Sequence, residues 1–213
     1  MTEQESNDYD FEIEAMTTKN TSFSLDRQGK QCGPLQYVRE LTQNSIEAIL
    51  SKDDQKGEIY WTFDRREKDE TGIHKLCIID TGSGMSGEEI RSLMNRMYSS
   101  GKDQSMDGNF GIGAKIAGLY RSPRGLNYQS FKGGKGVFAE LCKHPSSGEY
   151  GLRQQEMGDG SLNPYLEIPF YEKPSQISDS GTVVTLIGKD EQEDTFTSPP
   201  EGNNGVAWLS RYL

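Results

Sequence analysis

Residues 78–90 read IIDTGSGMSGEEI, and Gly82, Gly84 and Gly87 spell G-x-G-x-x-G, a pattern that cradles a dinucleotide pyrophosphate when it joins a strand to a helix. An apolar run at 76–79 precedes the glycines and a helix-like EEIRSLMNRMY follows them. The charge argues against a dinucleotide. A pyrophosphate sits on the first N–H groups of such a helix, where the dipole is positive, yet Glu88 and Glu89 stand there. The ribose-binding acid, expected about 20 residues further on at a strand end, is also missing, since MYSSGKDQSM fits no strand template. The conspicuous acid is Asp80, directly before the glycines.

Three further stretches invite one explanation together with D-T-G-S-G: E-L-T-Q-N from Glu40, F-G-I-G-A-K from Phe110, and S-G-T-V-V-T-L from Ser180. A nucleoside triphosphate satisfies all four. A carboxylate followed by glycines can accept the adenine amino proton while the purine closes on the backbone. Glycines opening a helix leave N–H groups free for the β- and γ-phosphates. The amide oxygen of Asn44 is a hard ligand suited to Mg²⁺, which keeps waters and spans phosphates. Glu40, one helical turn earlier, is placed to orient and deprotonate an attacking water. A Walker A reading of GNFGIGAK fails by register, because Ala114 intervenes before the lysine and Ile116 replaces Ser/Thr.

These boxes resemble the ATP-binding domain of the GHKL superfamily, which comprises gyrase, the ninety-kilodalton heat-shock chaperones, histidine kinases and the mismatch-repair protein MutL. Glu40, Asn44, Glu47 and Ala48 match the first box, with Glu47 where Asp is usual; Asp80, Gly82, Gly84 and Met85 match the adenine box. Gly111, Gly113, Ala114 and Lys115 match the glycine-rich box, extended by Phe110 and Ile112, and Gly181 with Thr182 match the late threonine that helps hold adenine. Residues 99–109 correspond to the ATP lid, with Ser100, Gly101 and Lys102 near the phosphates. The backbone of Lys115, rather than its amine, is the expected phosphate contact. The resemblance implies ATP and Mg²⁺ as ligands, and hydrolysis that is slow until the domain dimerises and the lid closes. A short lid and G-T-V-V-T-L favour clamps that handle DNA, of the MutL or type IIB topoisomerase kind, over the chaperone. Two alternatives stand beside this one: a regulatory module that hardly hydrolyses, and a protein kinase of the same superfamily. For a histidine kinase, neither His74 nor His144 offers a phosphoacceptor helix.

The elements that must position these residues are legible in part. Pro34 opens a helix over 34–51, where Val38, Leu41, Ser45, Ala48 and Ile49 form the buried stripe and Glu40, Asn44 and Glu47 a neighbouring polar edge. A second helix is expected over 87–98 and a third from Ile112. Strands are expected at 58–64 and 75–79, joined by a hairpin-like turn RREKDETG, and at 136–141, 150–156, 165–168 and 182–187; FEIEA alternates like a short strand. The implied fold is an α/β two-layer sandwich, with a mixed, mainly antiparallel sheet, helices on one face and the ATP pocket between helices and lid.

Composition fits that fold. The 213 residues suit one large domain, here 11–213 behind a disordered acidic tail at 1–10, and GVAWLSRYL ends like a helix cut short, so a longer polypeptide is expected. A net charge of −10 argues against a surface devoted to nucleic acid; DNA or a protein client is expected to reach a C-terminal region. Residues 121–136 hold four bases and no acid, and read as a solvated loop or, alternatively, as a phosphate-tracking one. Three cysteines without C-x-x-C suggest neither zinc nor a disulfide framework and point to the cytoplasm. No apolar run is long enough to span a membrane.

Overall fold

The computed structural model describes residues 12–15, 21–95 and 112–197. In chain order the elements are β1 (Ile13–Ala15), α1 (Thr21–Gly29), α2 (Gln36–Leu50), β2 (Ile59–Phe63), α3 (Arg65–Thr71), β3 (Leu76–Asp80), α4 (Gly87–Asn95) and α5 (Ile112–Arg121). Then come β4 (Gly125–Lys132), β5 (Lys135–Lys143), β6 (Tyr150–Arg153), β7 (Gln155–Glu156), β8 (Leu162–Asn163), β9 (Leu166–Ile168), a 3-10 turn at Phe170–Glu172, and β10 (Gly181–Gly188). Seven strands run β1-β6-β5-β4-β10-β3-β2, β9 adds to β5, and β7 pairs with β8 as a separate ribbon. Every described pairing is antiparallel. β3 and β4 therefore point the same way, with β10, the last described strand, inserted between them.

The period-2 alternation of the strands sorts their side chains onto two faces. Leu76, Ile78, Leu126, Tyr128, Ala139, Leu141, Val184 and Leu186 face the helices, where Val38 and Leu41 of α2, Ile90 and Met94 of α4 and Leu119 of α5 close the main core. Burying one such aliphatic side chain contributes about 1.5–3 kcal/mol. The expected stripe of α2 is buried at Val38, Leu41, Ser45 and Ile49; Ala48 is only half-buried, and Tyr37 joins the core instead. The opposite face carries a smaller cluster of Cys77, Ile79, Phe131, Ile177 and Val183.

Two stretches fold differently from the expectation. RREKDETG is the helix α3. Asp64 caps it, accepting from the N–H groups of Arg66 at 2.9 Å and Glu67 at 3.3 Å, and Gly72 at φ 78° ends it with a bond to the Lys68 carbonyl. Residues 121–136 contain β4 rather than a loop. Its polar residues Asn127, Gln129 and Ser130 are buried with the apolar ones, because both faces of this central strand are covered, so hydropathy does not alternate along it. The turn into β5 is the pair Gly133 and Gly134, with φ 59° and 74°, joining partners Lys132 and Lys135. The bases of this stretch are largely engaged: Arg121 pairs with Glu193 at 2.8 Å, Arg124 with Glu191 at 2.7 Å and Lys132 with Glu89 at 2.8 Å.

Candidate functional site

A cavity of about 690 Å³ opens on the helix-bearing face, between α2, the loop from β3 to α4, the inner side of α4, and the strands β4 and β10. Asn44, Glu47 and Ala48 line its α2 wall; Asp80, Gly84 and Met85 line the loop side, and Thr182 the floor. These residues are distant in sequence and share no single element, so their convergence comes from the sheet order. Thr182 of β10 lies directly opposite both Asp80 of β3 and Ser130 of β4, which makes a cross-strand row of three polar side chains.

Asp80 is 4% exposed. Its carboxylate accepts from the Gly82 N–H at 2.9 Å and from the Ser45 hydroxyl at 3.3 Å. Burial nevertheless dominates and pushes its pKa up to about 6, against the lowering effect of those bonds and of the Thr182 backbone. The group is thus an ionisable acceptor on the edge of a mainly apolar cavity.

The loop after Asp80 is held at both ends. Ser83 N–H donates to the Ala48 carbonyl at 3.0 Å, and the Ser180 hydroxyl donates to the Gly82 carbonyl at 2.7 Å. Met85 N–H donates to the Ser130 hydroxyl at 2.7 Å. Gly84 takes φ 63°, and a Cβ there would collide with the Phe131 carbonyl, so the loop lies against β4 as only glycine permits. The three glycines of G-x-G-x-x-G therefore serve this close docking and the start of α4, not a pyrophosphate. Glu89, at the first turn of α4, is instead part of a capping box, accepting from the Ser86 N–H at 2.7 Å while its own N–H reaches the Ser86 hydroxyl at 3.3 Å.

On α2, Asn44 and Glu47 are half-buried, and Glu47 accepts from the Gln43 amide at 2.9 Å. Glu40 stands one turn earlier, off the cavity lining, with its carboxylate so close over Gly113 at the start of α5 that a Cβ there would overlap it. Glycine at 113 is what allows helix and carboxylate to meet. Ala114 is core, at 1% exposure. The Lys115 side chain is buried as well, and its ammonium donates to the Leu93 carbonyl, which leaves the backbone as this residue's expected phosphate contact. Burial drives that ammonium down to about 8. Ser100, Gly101, Lys102, Phe110 and Gly111, the rest of the 99–109 stretch and the side chain of Ile112 lie outside the described residues.

The donor set fits a nucleotide: a buried acceptor carboxylate, a hydroxyl beside it, a glycine approach and a helix start. For Mg²⁺ it supplies the Asn44 amide, and the described residues contain no group of three or more His, Cys, Asp or Glu arranged to hold a metal. Sequence reasoning missed Ser45, Ser130 and Ser180. Ser130 was detectable in principle, two residues after Tyr128 on the same face, once β4 is read as a strand.

A second cleft, of about 560 Å³, lies on the opposite face over Cys77, Ile79 and Val183. It gathers none of the four boxes. Among the described residues no helix is long and apolar enough to cross a membrane.

A search of curated proteins gives no match. Among solved structures, the chain is similar to the 43K ATPase domain of Thermus thermophilus gyrase B in complex with an aminocoumarin, at 17% identity and a TM-score of 0.41, over 74% of this chain and 34% of that one. The chain thus spans about a third of that structure's length. Residues 35–140 match the family described as histidine kinase-, DNA gyrase B-, and HSP90-like ATPase. That segment runs from the start of α2 through the Asp80 loop to β5, and on it this chain carries a GHKL-type ATPase domain.

Proposed function

We propose that this domain binds ATP with Mg²⁺ and hydrolyses it to ADP and phosphate, slowly and under the control of dimerisation, to drive a clamp. The observation that carries the reading is the row Asp80–Thr182 in the cavity, with Asn44 on its α2 wall and Glu40 one helical turn earlier, outside the lining. In this reading the Asp80 carboxylate accepts from the adenine amino group, and Thr182 flanks it. Gly82, Gly84 and Met85 bring the backbone onto the purine, while Glu47 and Ala48 shape the opposite wall. The first turn of α5, with Gly113, Ala114 and the Lys115 backbone, faces the phosphates, joined by Phe110, Gly111 and Ile112 and by Ser100, Gly101 and Lys102 of the lid.

Asn44 is the protein ligand for Mg²⁺, which when bound draws charge off the phosphates. Glu40 takes a proton from water as the water attacks the γ-phosphorus, and the bond to the β-phosphate oxygen breaks to release ADP. Its contact with Gly113 holds that carboxylate at the phosphate end of the pocket. A clamp on DNA, in the manner of MutL or type IIB topoisomerases, is the proposed use, and the cytoplasm the proposed setting. Cys32, Cys77 and Cys142 are all free thiols, which suits a reducing compartment.

The alternative, a regulatory module that holds nucleotide and a partner without turnover, draws on one observation: Glu40 stands off the cavity lining. Equilibrium ATP binding with and without Mg²⁺, beside phosphate release from a chain shown to dimerise, decides between them. Mg²⁺-dependent binding with release supports the ATPase; binding without release supports the module. An absence of ATP binding removes both.

A further inference from the structure

Ser130 has no exposed surface, so it cannot touch a ligand, yet it joins three parts of the pocket. Its hydroxyl accepts from the Met85 N–H at 2.7 Å, lies 3.1 Å from the Thr182 hydroxyl and 3.3 Å from the Gly181 carbonyl. Met85 and Thr182 both line the cavity. One residue further along β4, the Phe131 carbonyl is the atom against which Gly84 is pressed. Consecutive residues of β4 thus seat the loop, one through its side chain and one through its backbone.

The other anchors of the loop leave this job to Ser130. Gly82 and Ser83 are tied to Asp80 and to α2, and Ser86 to Glu89 of α4. Met85, midway, has Ser130 as its acceptor. A serine hydroxyl has one proton and two lone pairs, so it can accept from Met85 and still donate to Thr182 or Gly181. Alanine removes both functions and leaves a partly buried N–H without its partner.

We infer that Ser130 is a positioning residue for the base end of the pocket, setting the height of the Gly84–Met85 segment above the sheet and the orientation of the Thr182 hydroxyl. The inference rests on the adenine reading given above. Ser130 acts on the purine alone, because the first turn of α5 and Asn44 make no contact with it in the arrangement described.

The test is calorimetric titration of the 213-residue chain with ATP, adenosine and inorganic tripolyphosphate, for the parent, Ser130→Ala and Ser130→Cys, with thermal melting of each. Ser130→Ala is expected to bind ATP and adenosine roughly tenfold or more weakly, as for a donor left unpaired, and tripolyphosphate as the parent does. Ser130→Cys, which keeps a weak acceptor at similar size, falls between and decides the matter if the alanine variant does not fold. ATP affinity unchanged in the variants overturns the assignment. So does an equal loss for all three ligands, which marks Ser130 as a support of the fold only. A parent that binds tripolyphosphate but neither ATP nor adenosine overturns the adenine reading itself, and that result is visible before any variant is made.

Discussion

Thr182 and Asp80 are directly opposed in the β10–β3 ladder, so a carboxylate and a hydroxyl about 100 positions apart in sequence share one edge of the cavity. The Thr182 backbone bonds to that carboxylate but does not offset its burial, and Asp80 titrates near 6 rather than at the ordinary 3.8.

Asp80 therefore links proton binding to stability and, on the adenine reading proposed above, to nucleotide affinity. Its folded pKa is raised, so the proton it binds stabilises the empty fold below about 3.8, and that contribution fades as pH climbs through about 6. Above that range the buried charge costs on the order of 3 kcal/mol. Asp80→Asn is expected to raise the melting temperature by several degrees at pH 7.5 and far less at pH 4.5. ATP affinity of the parent should fall between pH 7.5 and pH 5, where the acceptor is protonated, and affinity of the variant should be about one to two decades lower with a flat profile. Melting curves at the two pH values and titrations across the range check this; identical melting shifts at both would refute the linkage.

Under the roles proposed above, variants of Glu40 and Asn44 should separate chemistry from binding within one helical turn. Glu40→Ala should leave ATP binding nearly intact while single-turnover hydrolysis falls by about 10²- to 10⁴-fold, the usual loss for a general base. Asn44→Ala should weaken binding and abolish its Mg²⁺ dependence. Loss of binding in the first variant, or intact Mg²⁺-dependent binding in the second, reverses the assigned roles.

How much of this was legible beforehand differs between local and long-range features. The polar edge of α2 and the apolar stripe beside it follow from the 3.6 period, and the strand at 182–187 from its β-branched run. The stretch that forms α3 reads instead as a hairpin-like turn: the Asp64 cap and the terminating Gly72 are the helix's signals, but at 7 residues it offers no period to read. β4 was not legible. Its buried Asn127, Gln129 and Ser130 carry a loop's composition, and only the sheet order, with β10 beside it, explains their burial. Ser130 was hidden for the same reason: its partners Met85 and Thr182 lie far away in sequence. The seating of Glu40 on Gly113 likewise depends on how α2 packs on α5, which no local pattern encodes.

Gly84→Ala tests the close docking of the loop. The added Cβ meets the Phe131 carbonyl and the residue must hold φ 63°, so strain and collision act together. ATP affinity is expected to fall at least roughly tenfold, with a stability loss of about 1–3 kcal/mol. Gly72→Ala also changes a positive-φ residue but has open space around it and lies away from the cavity, so it should leave ATP affinity unchanged. Parallel titrations and denaturant melts of the two variants give the comparison; equal effects on affinity would count against loop docking as the cause.

Asp64→Ala should destabilise without touching the pocket. The carboxylate caps α3 and also accepts from the buried Thr185 hydroxyl at 2.6 Å, so the variant loses a cap and strands a hydroxyl. The expected cost is about 2–4 kcal/mol. At 2–4 °C per kcal/mol for a chain of this size, that is a drop of roughly 4–16 °C, read by thermal unfolding. Asp64→Asn should recover part of it, since an amide oxygen still caps. A melting temperature unchanged in the alanine variant would mean that neither bond matters to the fold.

The place of β10 governs the order in which the molecule can be made. During synthesis β3 and β4 leave the ribosome well before Gly181–Gly188, and each waits with an open edge where β10 will lie. Until then Asp80 lacks Thr182, Lys75 lacks the Ile187 carbonyl that it bonds at 2.7 Å, and the loop lacks Ser180. Nascent chains shorter than this strand therefore carry an unfinished, sticky sheet that cannot yet hold a ligand, and nucleotide can act as a folding aid only after β10 has slotted in. Pairings that span so much sequence are slow to form, which makes this interval the one in which the open edges of β3 and β4 expose the chain most to aggregation.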